Sequence, residues 1–275
     1  MKEGAPGRPL VSVVTVVLDR VDAIARTIES VLAQTYAPLE YIVIDGGSTD
    51  GTRSVIKRYD DRIDLWRSEP DRGVSDAFNK GIGLARGAII GLINGGDWYE
   101  PDAVEQVVSA FTDHPEVGVV CGALQFRRQG RREYVCRSVP ELLEREMTVT
   151  HPTCFIRREL YEKYGMFSEE YSLAMDYRLL LGLKVKGVRF MALPAVLANM
   201  EHAGMSEENW EEALRETHRA RQELLPGSLF AHPVYYQFLA AKRRARILLE
   251  KSGCENLVRL YRARLALVRK TREDT

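Results

Sequence analysis

Residues Leu39 to Thr52 run L-E-Y-I-V-I-D-G-G-S-T-D-G-T, an apolar strand pattern that ends in an acidic, glycine-rich turn. Ala88 to Asp102 repeats the arrangement as A-I-I-G-L-I-N-G-G-D-W-Y-E-P-D. Glycines let a backbone approach a phosphate or sugar closely, and carboxylates hold a metal or accept hydrogen bonds from a base or ribose. Two such turns, each closing a strand, place a candidate site at one edge of a parallel sheet. The pairing points to nucleotide-sugar chemistry.

Each acid also has a plainer use. Asp45 ends the first of these strands, where it can accept hydrogen bonds from a base or ribose or satisfy local N–H groups as an Asx turn. Asp50, in D-G-T, suits a helix cap. Ser68 to Ile82 (S-E-P-D-R-G-V-S-D-A-F-N-K-G-I) reads as a turn at Asp71-Arg72-Gly73 with Ser75 as N-cap. Asp97 precedes Trp98 as a turn carboxylate; Glu100 and Asp102 suit the cap of the next helix. Asp176 opens a helix, where the dipole favours a carboxylate. Of the five histidines, His114 and His232 precede prolines in surface turns.

The elements that must position these groups follow from periodicity. Val11 to Leu18 (V-S-V-V-T-V-V-L) is nearly continuous β-branched apolar sequence, as in a strand buried on both faces. Asp19 or Asp22 can cap the helix carrying Ile24, Ile28, Val31 and Leu32, which Tyr36-Ala37-Pro38 stops. Strands are then expected at Glu40–Ile44, Ile63–Trp66, Ala88–Ile93 and Val117–Cys121. Between them lie a helix through Val55 and Tyr59, capped by Ser48 or Asp50, and helices at Ser75–Ala85 and Asp102–Phe111. This alternation means a mostly parallel α/β sheet with helices on both faces. After Ala123 the rhythm changes: a hairpin or loop at Gln125–Tyr134, a short helix at Glu141–Glu146, and a strand at Thr153–Ile156. Helices at Glu159–Tyr164 and Asp176–Lys186 and a strand at Arg189–Leu193 follow. From Glu207 the pattern is helical, broken at Pro226-Gly227, His232-Pro233 and Ser252-Gly253.

Composition narrows the class. Lys+Arg and Asp+Glu each total 39, so whole-chain charge gives no reason to invoke nucleic acid. Ala241 to Thr275 nevertheless holds eleven basic residues against four acidic ones. Lys242, Arg243, Arg244, Arg246 and Lys251 lie beside Ile247, Leu248 and Leu249, a pattern suited to an anionic membrane surface, to packing on the domain or to a second copy of the chain. Cys121, Cys136, Cys154 and Cys254 show no ligand or redox spacing and read as free thiols of a reducing cytoplasm. The first nine residues lack the apolar stretch of a signal peptide. The longest apolar runs fall short of the ~20 residues that span a bilayer. A cytoplasmic protein, at most peripheral on the inner face of the membrane, is expected.

In order and spacing, V-S-V-V-T-V-V-L-D-R, S-V-L-A-Q-T-Y, I-V-I-D-G-G-S-T-D-G-T, S-E-P-D-R-G-V-S-D-A-F-N-K-G-I, N-G-G-D-W-Y-E-P-D and A-M-D-Y-R-L-L-L resemble a family 2 glycosyltransferase of the GT-A fold. The resemblance covers Pro9 to Ser206. It implies a nucleotide-sugar-binding half at 9–122, an acceptor half at 123–206 and a helical C-terminal extension at 207–275. It also implies transfer of a sugar, with inversion, from a nucleoside diphosphate donor (UDP favoured) to a glycan or lipid-linked acceptor. In that family Val17, Asp19, Asp45, Gly46 and Gly47 would line the nucleotide, Asp71 and Arg72 reach toward it, and Asp76 and Asn79 face the cleft. Asn94, Gly95 and Asp97 would sit at the diphosphate with Mn2+ or Mg2+, His202 completing the metal site. Asp176 would be the general base, with His151 and Trp98 on the acceptor side.

Two positions depart from the family's pattern. Gly46 stands where a second aspartate is usual, and Gly96 stands where the D-x-D metal carboxylate is usual, giving N-G-G-D. A catalytically weak nucleotide-sugar-binding subunit is therefore the alternative. A sugar-nucleotide pyrophosphorylase or an NAD-linked oxidoreductase would need a glycine-rich loop after the first strand, where Leu18-Asp19-Arg20-Val21 has no glycine.

Overall fold

The structure, a computed structural model, describes residues 8–201, 209–251 and 270–271. Its first half alternates strand and helix: β1 (Val11–Val17), α1 (Ile24–Leu32), β2 (Leu39–Asp45), α2 (Thr52–Lys57), β3 (Leu65–Ser68), α3 (Val74–Leu84), β4 (Ile89–Asn94). A two-residue strand β5 (Trp98–Tyr99), α4 (Ala103–Asp113), β6 (Val117–Arg128) and β7 (Arg131–Cys136) follow. Beyond them come β8 (Phe155–Arg157), α5 (Arg158–Tyr164), α6 (Met175–Val185), β9 (Arg189–Glu201), α7 (Trp210–Leu224), α8 (Pro233–Lys251) and β10 (Lys270–Thr271).

Every residue of β1 is buried, and the strand's two-residue period sorts its side chains onto two cores. Val11, Val13 and Val17 pack with Ile24 and Ile28 of α1, Ile56 of α2 and Val104 and Phe111 of α4. Val14 and Val16 face the opposite way, onto Phe78 and Ile82 of α3 and Leu180 and Leu181 of α6. A strand that must be apolar on both sides reads as a continuous run, which is what the sequence shows.

β3, β2, β1 and β4 are parallel neighbours in that order. Beyond β4 the sheet becomes antiparallel through β8, β6, β7 and β10, while β9 runs parallel to β6 and also pairs with β5. The mixed, helix-covered sheet is the α/β class expected.

Several boundaries differ from expectation, each for a tertiary reason. β6 and β9 run on to Arg128 and Glu201 because they pair with each other along most of their length. Gln125–Tyr134 is a hairpin, closed by pairing of Arg128 with Arg131. The helix expected at Glu141–Glu146 is only a 3₁₀ turn at Pro140–Leu142, and a second 3₁₀ turn, His151–Thr153, replaces the start of the expected strand. The helical breaks at Pro226-Gly227 and His232-Pro233 separate α7 from α8; Ser252-Gly253 lies outside the described residues.

Candidate active site

Register brings the acidic turns to one edge. Asp45 lies opposite Val17 of β1 and Ser68 of β3, and Asn94 lies opposite Val16. Ligands of such sheets bind at this carboxyl end. The loops after β1 and β2 are sewn together there. Asp19, at φ +48°, donates its N–H to Ser48 Oγ at 2.8 Å, and its Oδ1 accepts from Thr49 N at 2.8 Å. The Arg20 N–H donates to Thr52 Oγ1 at 2.8 Å, and the Val21 N–H to Asp50 Oδ2 at 2.9 Å. Asp19 thus braces the second loop rather than capping α1, whose N-cap is Ala23 with no side-chain cap bond.

Asp45 itself is fully buried. Ser48 Oγ donates to its Oδ1 at 2.5 Å and Ser68 Oγ to its Oδ2 at 2.6 Å, so the carboxylate organises the turn from beneath. Asp71 is half-buried at this edge, where Asp19 and Asp50 are exposed. A Cβ at Gly46 would lie 2.3 Å from Asp71 Oδ2 and 3.5 Å from Leu18 Cδ1, so only a residue without a side chain lets the Asp71 carboxylate lie over the end of β2. Asp71 Oδ1 accepts from the Gly73 N–H at 2.9 Å, an Asx turn opening α3.

Ser75 is not the α3 N-cap, which is Gly73; its hydroxyl instead donates to Tyr171 O at 3.2 Å. Asp76 accepts from the Arg72 backbone N–H at 3.1 Å and from its guanidinium at 3.0 Å. That pairing pulls the Asp76 carboxyl down to about 2, with Lys80 adding to the effect. Arg72 also reaches Glu169 at 2.9 Å. Asn79 spends both ends of its amide on Phe167, donating to its O and accepting from its N at 2.9 Å each. Asn79 and Ser75 therefore tie α3 to the segment that leads to Asp176.

The turn after β4 is built around Gly96 at φ +119°, a backbone that L side chains rarely adopt. The Gly96 N–H donates to Thr27 Oγ1 at 2.8 Å, and that hydroxyl donates to Asp97 O at 2.7 Å, fastening the turn to α1. Asp97 is enclosed, with 7% of its surface exposed. Burial pushes its carboxyl up to about 7 against the opposing pull of Asn94, Arg20 and Arg26. Arg26 donates to Gly96 O at 3.2 Å and lies over the Trp98 ring at 3.5 Å, with Arg127 over the same ring at 5.6 Å. Trp98 is thus a half-buried ring between two guanidiniums.

Among the described residues no three His, Cys, Asp or Glu side chains come together as a metal-binding set. Asp97 is enclosed, Gly96 offers no side chain, and His202 lies outside the described residues, so those present do not by themselves fit a divalent cation.

Asp176 is half-buried in the first turn of α6. Its Oδ1 accepts from the Tyr177 N–H at 2.7 Å. Burial raises its carboxyl, and the neighbouring His151 opposes that rise. His151 is buried, packed edge-on against Phe78 at 5.3 Å and Phe167 at 6.0 Å, and its Nε2 has no hydrogen-bond partner. Burial holds the imidazole below its usual range, with Asp176 opposing. An unprotonated imidazole beside a carboxylate of raised basicity is an arrangement that can accept a proton.

Sequence reasoning missed Arg26 and Glu216. Arg26 sits on the amphipathic α1, whose pattern registers only its apolar face, and Glu216 sits in a segment with no motif. Of the basic C-terminal cluster, Lys242 pairs with Glu146 at 2.7 Å and Arg244 with Glu211 at 3.3 Å; residues 252–269 lie outside the described residues.

Known proteins resemble this chain in sequence and in fold. An uncharacterized glycosyltransferase of Mycobacterium tuberculosis is 33% identical over 178 residues, covering 63% of this chain and 68% of that protein. Among solved structures, S. aureus TarS in complex with UDP superposes with a TM-score of 0.59 at 18% identity, over 78% of this chain and 66% of that one. The mannosyltransferase PcManGT of Pyrobaculum calidifontis, in complex with GDP-Man and Mn2+, superposes with a TM-score of 0.62 at 21% identity, over 96% of this chain and 86% of that one. Both likenesses show the GT-A fold. The model of the family described as "Glycosyl transferase family 2" matches residues 12–176, from the second residue of β1 to the candidate base itself, and the chain belongs to that family.

Proposed function

We propose that this protein transfers a sugar from a nucleoside diphosphate donor to an acceptor hydroxyl, with inversion at the anomeric carbon. The observation that carries the proposal is the half-buried Asp176. Its carboxyl is raised by burial, and α3 ties the segment leading to it to the edge where Asp71 opens the strand ends. In this proposal the donor's nucleotide lies over Val17, Asp19, Gly46 and Gly47, with the Asp71 carboxylate toward the base and Asp45 beneath, fixing the turn. Gly95 lets the end of β4 close onto Val17, whose Cγ2 would lie 2.6 Å from a Cβ there, and so forms the floor beneath the diphosphate. The acceptor enters beside Trp98. Asp176 takes the proton of the acceptor hydroxyl as that oxygen attacks the anomeric carbon, and the nucleoside diphosphate departs from the opposite face, a single displacement that inverts the centre.

A UDP-sugar is the favoured donor, in line with UDP in TarS, and a GDP-sugar is the second candidate, in line with PcManGT. Mn2+ or Mg2+ belongs to the proposal as companion of the donor. A relative named as a PGL/p-HBAD biosynthesis glycosyltransferase, 25% identical over 206 residues, supports a biosynthetic role, which in this proposal is the assembly of a cell-surface polysaccharide or glycolipid. Release of nucleoside diphosphate from UDP-glucose, UDP-N-acetylglucosamine and GDP-mannose, with and without Mn2+, tests the proposal. Catalysed release from one of them is expected; binding of nucleotide without release from any would favour the alternative of a weak nucleotide-sugar-binding subunit, which rests on Gly46 and Gly96.

A further inference from the structure

The segment before Asp176, residues 165–174, contains no helix or strand, yet its last residues are held firmly from α7. Glu216 accepts three consecutive backbone N–H groups: Ser172 at 2.9 Å on Oε1, and Leu173 at 2.8 Å and Ala174 at 2.7 Å on Oε2. Ala174 is the N-cap of α6 and Ser172 and Leu173 precede it, so none of the three N–H groups has a partner within the helix. Hydrogen bonds to a charged acceptor are roughly twice as strong as neutral ones.

The grip extends along one face of α7. Arg219 pairs with Glu170, Ala220 is fully buried, and Glu223 bonds Arg178 at 3.2 Å. Positions 216, 219, 220 and 223 fall at the i, i+3, i+4, i+7 spacing of a single helix face. Arg221, on the adjoining position, donates to Arg145 O at 2.6 Å, and its guanidinium lies 5.7 Å over the ring of Tyr177, the residue after Asp176. Every one of these contacts falls within the twelve residues of 167–178 or on the turn beside them.

We propose that Glu216 is a positioning residue of the transfer reaction: it fixes the 172–174 backbone and so aims the Asp176 carboxylate. The inference rests on Asp176 being the base. A proton acceptor must be held at hydrogen-bond distance from the acceptor hydroxyl, and small misplacements there are costly. Nothing in 165–174 supplies that rigidity by regular structure. The C-terminal helices therefore complete the active site from outside the segment that carries its motifs.

Glu216→Ala and Glu216→Gln, run beside Asp176→Asn in the full chain, test this. Hydrogen exchange at the Ser172–Ala174 amides is expected to quicken by about tenfold in Glu216→Ala, the signature of a lost local bond worth about 1.4 kcal/mol. Nucleoside diphosphate release from UDP-glucose, UDP-N-acetylglucosamine or GDP-mannose should fall about tenfold or more in kcat, the scale on which misaimed groups act, with donor KM within about twofold. Glu216→Gln, which keeps the shape and loses the charge, should fall in between. Its acid limb should also move to lower pH, because Glu216 is a like charge facing Asp176, where His151 acts in the opposite sense and the buried Cys154 thiol is the other titratable neighbour; a brace too far from Asp176 to be felt at its carboxylate would leave that limb in place. Unchanged exchange, or kcat retained in both Glu216 variants, overturns the inference. If Asp176→Asn also keeps full turnover, the base assignment falls first and the inference with it; if only Asp176→Asn loses turnover, the inference alone falls. Should Glu216→Ala not fold, Glu216→Gln carries the same comparison, and should no donor be turned over, exchange decides.

Discussion

Asp97 and Asp176 are both pushed above the ordinary carboxylate range by burial, yet their surroundings give them different work. Asp97 lies under a turn whose shape depends on Gly96, satisfied by Asn94 and flanked by Arg20 and Arg26. Asp176 sits at the open start of a helix, beside an imidazole with an unpartnered nitrogen. Enclosure and compensation make the first a keystone of the donor edge. Partial exposure and a neighbour with an unpartnered nitrogen suit the second to the role of base proposed for it. Two equal directions of pKa shift are thus not equal evidence for chemistry, and access to the group decides between them.

The sharpest way to break this comparison is to remove the second carboxylate. Asp176→Asn is expected to lose about 10²–10⁴-fold in turnover, the range for positioned proton transfer, while nucleotide affinity, followed by calorimetry, stays near wild type. Retained turnover would reverse the roles of the two acids. The pH profile checks the same point. A base works in its ionised form, so activity should rise as pH climbs through the Asp176 pKa, with a midpoint above the ordinary carboxylate range because burial raises that pKa. An acid limb at or below the usual aspartate value would contradict the site as described.

On the Asp97 side, the expected effects are on stability. Gly96→Asp would restore the family's usual acid, but at φ +119° a non-glycine residue costs about 1–3 kcal/mol. Space is not the obstacle, since the nearest atom to a Cβ there is Ala23 Cβ at 3.7 Å. A lower melting temperature is therefore expected, with no gain in affinity for Mn2+. A variant as stable as wild type that binds Mn2+ more tightly would mean that the turn flips readily.

A smaller shift is expected from the metal itself. Because the described residues bring no three ligands together, Mn2+ alone should leave the melting temperature unchanged. Mn2+ with a nucleoside diphosphate should exceed the nucleotide alone by about 2–4 °C, the change that ~1 kcal/mol produces in a chain of this size. Stabilisation by Mn2+ without nucleotide would indicate a preformed site.

The edge where the acidic turns meet was largely legible in the sequence because its parts are short-range: a buried strand, a turn acid and a helix start within a few residues. The register of β1 with β2 and β4 then follows from the parallel α/β pattern. The roles within that edge were less legible. Asp45 and Asp71 look alike as turn acids, and only the missing side chain at Gly46 and the hydroxyls of Ser48 and Ser68 decide which is buried. Around the candidate base, a carboxylate at a helix start was legible in the sequence, but the construction that holds it was not. Its supports, Phe78 against His151, Asn79 on Phe167 and Glu216 on 172–174, join elements far apart in the chain, and no local period marks them.

The smallest expected effect concerns the C-terminal helices, where the comparison shifts from the site to the surface. No helix among the described residues is long and apolar enough to cross a membrane. On α8, however, Val234, Phe238 and Leu248 are exposed at 67%, 57% and 68%, and with Ala241 and Ala245 they fall on one side of the helix. Basic residues flank that stripe, but Lys242 and Arg244 are engaged with Glu146 and Glu211, which leaves fewer charges for a surface than the raw count of the segment implies. Each basic residue near an anionic bilayer contributes ~1 kcal/mol before screening. Attachment to vesicles rich in phosphatidylserine is therefore expected to be weak and salt-sensitive, present at low ionic strength and lost as the Debye length shrinks to a few ångströms. Phe238→Ser should weaken it further without changing nucleoside diphosphate release, since that ring is largely exposed and lies against Tyr235 at 6.1 Å. Equal flotation with neutral and anionic vesicles would show that charge plays no part, and none with either would leave the stripe to a second copy of the chain, which sedimentation would reveal.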